Sequence, residues 1–168
     1  MTDRIWLSSY PEGVPADIDT TAYPSLVALM EESFQRYAGR TAYSFMGRDV
    51  TYARTDSLSS ALAAYFQGLG LVKGDRVALF MPPVPEAAVA VLGAAKLGAV
   101  VVPAFSGYGS EPLAKRLQAA GVSVLVTADG TTRRGKPVPM KTIADGAAAL
   151  SPTVRHVVVI RSNGEPVP

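Results

Sequence analysis

Lys73–Gly109 reads KGDRVALFMPPVPEAAVAVLGAAKLGAVVVPAFSGYG, and its order of apolar runs and breakers sets the fold of the chain around it. Arg76 to Met81 is a short apolar run, opened by Gly74-Asp75 and closed by Pro82-Pro83, as a strand buried on both faces requires. From Glu86 to Leu97 the residues are small and apolar apart from Glu86 itself and Lys96, which predicts a slender helix packed on a sheet, and Gly98 supplies its stop. Val100-Val101-Val102 is a second buried strand. The connection between the two strands is long enough for a right-handed crossover, so the stretch is a βαβ unit with parallel strands.

Outward from this unit the same alternation continues. Glu111 to Ala120 predicts a short helix with Leu113 and Leu117 inward, Lys115 and Arg116 outward and Gly121 as its stop. Val122 to Thr127 is an apolar strand, Met140 to Leu150 a helix and Val154 to Ile160 a last apolar strand, while the polar DGTTRRGKPVP of 129–139 reads as a loop. Strands and helices that alternate from Arg76 to Ile160 predict an α/β fold, a doubly wound and mostly parallel sheet flanked by helices. Toward the N-terminus, Ser25 precedes a run in which Leu26, Leu29, Met30, Phe34 and Tyr37 recur at helical spacing, ended by Gly39. Thr41 to Met46 and Asp49 to Tyr52 flank Gly47-Arg48 as a hairpin, and Asp56 or Ser57 is positioned to cap a helix that runs to Gly68. Residues 1–24, with Pro11, Pro15, Pro24 and Gly13, form an extended arm expected to pack through Trp6; residues 25–168 form the α/β unit.

Composition narrows the function. The 168 residues are 48% apolar, enough for one sizeable core, and the 16 basic and 14 acidic residues nearly cancel, so net charge gives no reason to expect nucleic acid. Absence of cysteine excludes disulfides, thiolate metal sites and a thiol nucleophile within these residues. No apolar run approaches a membrane span and Met1–Gly13 lacks the apolar core of a signal peptide, so the expected location is the cytoplasm.

Two stretches could carry chemistry. Phe105–Glu111, FSGYGSE, lies at the carboxyl end of a strand, where open α/β sheets bind ligands, and its glycines permit close backbone approach; the competing reading is a plain strand-to-helix loop whose Ser110 caps the next helix. Arg133, Arg134 and Lys136 put three cations into four residues after a strand, suited to a phosphate-bearing ligand, although such clusters are commonly only solvated. DGTTRRGKP is not a Walker loop, because Pro137 stands where Ser or Thr must follow the lysine. Neither G-x-S-x-G nor a complete G-x-G-x-x-G is present, and His156, the single histidine, is assigned no role.

Taken together, these residues resemble a known family. RIWLSSYPEGVPADIDTTAYPSLVALMEESFQRYAGRTAYSFMGRDVTYARTDSLSSALAAYFQGLGLVKGDRVALFMP is similar to the N-terminal region of bacterial long-chain fatty acyl-CoA ligases, of the AMP-forming adenylating superfamily. VPEAAVAVLGAAKLGAVVVPAFSGYGSEPLAKRL, LVTADGTTRRGKPVPMKTIADGA and VRHVVVI look more like its acetyl- and propionyl-type members. The resemblance implies a two-step reaction in which ATP and a carboxylic or fatty acid give an acyl-adenylate, with Mg at the phosphates, and CoA then takes the acyl group. It implies that Gly107 and Tyr108 lie near the pantetheine path and that Arg133, Arg134 and Lys136 face the CoA phosphates. One departure is Thr55, where a leucine usually follows the Thr-Tyr pair.

The family's Ser/Thr/Gly-rich phosphate loop, its ribose-binding acid, its hinge and its catalytic lysine are not among these residues. The expectation is therefore an N-terminal portion of a synthetase that supplies no catalytic residue, is inactive alone, needs the remainder of its domain and is prone to self-association. Two rivals stand beside it: an adenylating enzyme that does not use CoA, such as a fatty acyl-AMP ligase or a peptide-synthetase adenylation domain, and a stand-alone module that binds a phosphorylated ligand or a protein.

Overall fold

A computed structural model describes residues 3–162 and 164 of the chain. Among the described residues, five α-helices and eight strands follow in the order α1 (Leu26–Arg36), β1 (Thr41–Phe45), β2 (Arg48–Thr51), α2 (Tyr52–Gly68), β3 (Arg76–Phe80), α3 (Pro85–Leu97), β4 (Val100–Ala104), α4 (Ser110–Ala120), β5 (Val124–Ala128), β6 (Thr131–Arg133), β7 (Lys136–Val138), α5 (Met140–Ala149) and β8 (His156–Ile160). The central sheet has the order β4-β3-β5-β8 and is parallel throughout, as the apolar runs predict. β1 and β2 form an antiparallel pair of their own, apart from that sheet.

Strand composition explains the arrangement. Val77, Ala78, Leu79 and Phe80 of β3 and all five residues of β5 are buried, which suits the two inner strands of a sheet covered on both faces. The step from β3 to β4 runs one way along the sheet and the step from β4 to β5 returns past β3. Right-handed crossovers then put α3 and α4 on opposite faces. α3 packs on β3, β4 and α2; α4 packs on β4 and α5; α5 covers β5 and β8. Small residues allow the close approach of α2 and α3: a Cβ on Gly93 would stand 3.1 Å from the carbonyl oxygen of Ser59. Gly98 and Gly121 end α3 and α4 in the left-handed conformation, at φ of 78° and 59°.

Lys96, the lone cation near the end of α3, ties three helices. Its ammonium is paired with the Asp56 carboxylate, donates to Ser60 Oγ at 2.7 Å on α2, and lies 5.1 Å from the centre of the Phe34 ring on α1. The aliphatic stem is buried with it, leaving the side chain 10% exposed.

Four expectations need correction. The N-terminal arm is not extended throughout, because Ile5–Ser9 is a 3-10 turn, and Trp6 is 52% exposed, so it is no packing anchor. α2 begins at Tyr52, with Thr51 Oγ1 accepting from the N–H of Arg54. Thr51 thereby takes the capping role expected of Asp56 or Ser57, and Asp56 meets Lys96 instead. Thr55, the residue that departs from the family pattern, is fully buried and donates to Thr51 O at 2.9 Å, an internal use for its hydroxyl. The loop of 129–139 contains the antiparallel pair β6–β7, joined by Arg134 and Gly135, whose φ values of 51° and 74° give the two positive-φ positions of a tight hairpin turn. Ser110 does not cap α4: it is the first helical residue, and its hydroxyl donates to Ile143 O of α5 at 3.0 Å.

Candidate functional site

β4 and β5 lie on either side of β3, and both end on the same edge of the sheet. The loop after β4 carries Phe105, Gly107 and Tyr108; the hairpin after β5 carries Arg133, Arg134 and Lys136. The two meet across the end of β3, whose continuation is closed by Pro82-Pro83.

The contact is built on Phe105. The guanidinium of Arg133 lies 4.9 Å from the centre of the Phe105 ring, and the Phe105 and Tyr108 rings meet edge to face, with centres 5.7 Å apart at 80°. A turn closed by Tyr108 N–H donating to Phe105 O at 3.0 Å shapes the loop. Gly107 leaves that space clear: a Cβ would fall 2.3 Å from Nη1 of Arg133 and 2.5 Å from Cε1 of Phe105. Gly109, by contrast, faces open space, so its absent side chain admits no close neighbour. Replacing Gly107 by alanine should push the Arg133 guanidinium off the ring, at a stability cost below about 1 kcal/mol because the contact is exposed. Loss of the ring-current shift on the Arg133 δ-protons in NMR spectra would report the displacement; an unchanged shift would show that the loop absorbs the methyl group.

On the hairpin Arg133 stands directly opposite Lys136, with Arg134 at the turn. Like charges facing each other across an antiparallel pair repel, and among the described residues none of the three has a carboxylate within ion-pair distance. An anion between them would relieve that repulsion. The structure thus brings Gly107, Tyr108 and Arg133 together through Phe105, whereas Arg134 and Lys136 share the hairpin and stay exposed. The role of Phe105 was missed in the sequence because nothing in FSGYG announces which distant cation will lie on its ring. Among the described residues no group of three or more His, Cys, Asp or Glu could hold a metal ion. Nor is any described helix long and apolar enough to cross a membrane.

The family model described as "AMP-binding enzyme" matches residues 30–167. The chain belongs to the AMP-binding enzyme family. Among curated AMP-binding relatives, an acetyl-coenzyme A synthetase of Streptomyces coelicolor is 43% identical over 134 residues, which is 76% of this chain and 20% of that protein. A long-chain-fatty-acid--CoA ligase of Yersinia pestis is 36% identical over 160 residues, 95% of this chain and 27% of the relative. The chain therefore spans between a fifth and a little over a quarter of these relatives, and the likeness to long-chain ligases extends beyond its first half. Among solved structures, the Klebsiella oxytoca NpsA N-terminal subdomain in complex with anthranilyl-AMSN superposes with a TM-score of 0.59 at 35% identity, covering 61% of this chain and 27% of that one. The parallel sheet of this AMP-binding chain is thus that of an adenylation-domain N-terminal subdomain.

Proposed function

We propose that these residues serve, as the N-terminal portion, an ATP-dependent and AMP-forming acyl-CoA synthetase, which activates a carboxylic acid as acyl-adenylate and passes the acyl group to CoA. The reading is supported by membership in the AMP-binding family together with relatives that are acid-thiol ligases by name. Within it, the surface made by the Phe105 loop and the basic hairpin is the CoA side. Arg133, Arg134 and Lys136 pair with its phosphates, and Gly107 and Tyr108 border the pantetheine path. The single observation that carries this assignment is the Arg133–Lys136 pair, opposed without a carboxylate beside a loop cleared of side chain at Gly107.

Other parts of the proposal lie beyond these residues. ATP, Mg and the acid are bound by the remainder of the domain, which also covers apolar groups left exposed here such as Ile18, Leu26 and Met46; a polypeptide without it self-associates through them. The reaction takes place in the cytoplasm.

The test is acid-dependent exchange of labelled pyrophosphate into ATP, followed by thioester formation with CoA. The full-length enzyme should perform both across a panel of acids of graded chain length. A polypeptide limited to residues 1–168 should show no exchange above a no-protein control, since electrostatic stabilisation of the departing pyrophosphate falls to the family's Ser/Thr/Gly-rich phosphate loop and catalytic lysine, which are not among these residues. Exchange by the short polypeptide would place the ATP site within it and overturn the division of labour.

A further inference from the structure

Asp129 directly follows β5, and only 3% of it is exposed. Its Oδ1 accepts from the N–H of Gly130 at 2.9 Å, at the base of the basic hairpin, and from the N–H of Ser162 at 2.8 Å, two residues past β8. Its backbone N–H donates to Ile160 O at 3.0 Å, and its carbonyl accepts from the N–H of Lys141 at 3.2 Å, in the first turn of α5. One residue therefore holds the start of the hairpin, the segment that leaves β8 and the helix on which the hairpin lands. A carboxylate this deeply buried is tolerated where it accepts from several donors, and hydrogen bonds to a charged acceptor are stronger and shorter than neutral ones. The hairpin needs such an anchor, because its strands are three residues each and residues 132–137 are exposed.

We infer that Asp129 is a positioning residue for Arg133: by fixing the hairpin base to the exit of β8 it holds the guanidinium over Phe105, and it makes the hairpin and the segment after β8 share one anchor. The inference rests on the CoA reading of Arg133. Its geometry distinguishes acceptor from charge, since Asn at 129 still offers an oxygen of the same shape to Gly130 and Ser162 and Ala offers none.

In the full-length enzyme, Asp129→Ala should raise the apparent KM for CoA about tenfold, the loss expected when charge-assisted bonds that hold a binding group are removed. Acid-dependent pyrophosphate exchange and kcat at saturating CoA should stay within about twofold, and Asp129→Asn should recover most of the KM. A residue that only stabilised the fold would lower exchange and thioester formation by one common factor with KM unchanged, and that result would overturn the inference. Where Asp129→Ala does not fold, Ser162→Pro deletes the donor that comes from the segment after β8 and should raise the KM in the same direction; an unmoved KM there removes the role equally. Arg133→Glu, measured in parallel, separates the two failures. If it moves the KM and the Asp129 variants do not, only the positioning role falls; if none of them moves it, the CoA reading falls and the inference with it.

Discussion

Replacing Arg133 and Arg134 together by glutamate should raise the apparent KM for CoA about a hundredfold and leave acid-dependent pyrophosphate exchange nearly unchanged. A charge-assisted contact to phosphate contributes roughly 1.5–3 kcal/mol, and about 1.4 kcal/mol is a factor of ten, so two lost contacts account for two decades before any repulsion is counted. The two arginines are not equal. Arg133 is held on the Phe105 ring at 4.9 Å, whereas Arg134 sits at the exposed turn, so most of its ordering must occur on binding. Arg133→Glu alone should therefore carry the larger share, and Phe105→Ala should by itself reproduce part of that loss. Both effects should shrink as salt rises, as they must for exposed charges. Both arginines lie on the surface away from the core, so thermal stability should hardly change. An unaltered dependence on CoA would remove the assignment of the hairpin.

The second large effect concerns stability. Lys96→Ala should lower the unfolding free energy by about 2–3 kcal/mol, seen as a fall in Tm of roughly 5–10 °C in a thermal melt. Removing one partner of a fully buried ion pair costs about 3–5 kcal/mol, but the Asp56 side chain is 42% exposed and its abandoned carboxylate can be hydrated, which reduces the loss. What remains is the bond to Ser60, the cation over Phe34 and the packed methylene stem. Lys96→Met keeps the stem and should recover about a third to a half of the loss. If alanine at this position were neutral, the junction of α1, α2 and α3 would have to be held by apolar contact alone.

The fold was legible wherever its cause is local. Buried parallel strands are written as short unbroken apolar runs, and β3, β4, β5 and β8 all read that way; Gly98 and Gly121 mark helix ends because few other residues adopt the left-handed turn that they make. The β6–β7 hairpin escaped detection because strands of three residues, one with Pro137 at its centre, have no periodicity to read. The start of α2 escaped because Thr51-Tyr52 favours a strand as readily as a cap. In the site, three cations in four residues were visible as a cluster. The roles of Lys96 and Asp129 were not, since Asp56 lies 40 residues from Lys96 and Ser162 lies 33 from Asp129, and only the folded chain reveals such partners.

The two borders of the central sheet are not alike. On β4, Arg116 donates to the carbonyl of Pro103 at 2.7 Å, and Pro103 has no N–H to offer beside it. A strand residue turns its N–H and carbonyl to the same side, so this pair interrupts the outer margin of β4 where an added strand would need a donor and an acceptor. β8, HVVVI, carries no proline along its margin and is β-branched at four of its five positions. Lateral growth of the sheet is thus directional: a further strand, whether supplied by the same polypeptide or captured during misfolding, finds an uninterrupted template beside β8 and a broken one beside β4.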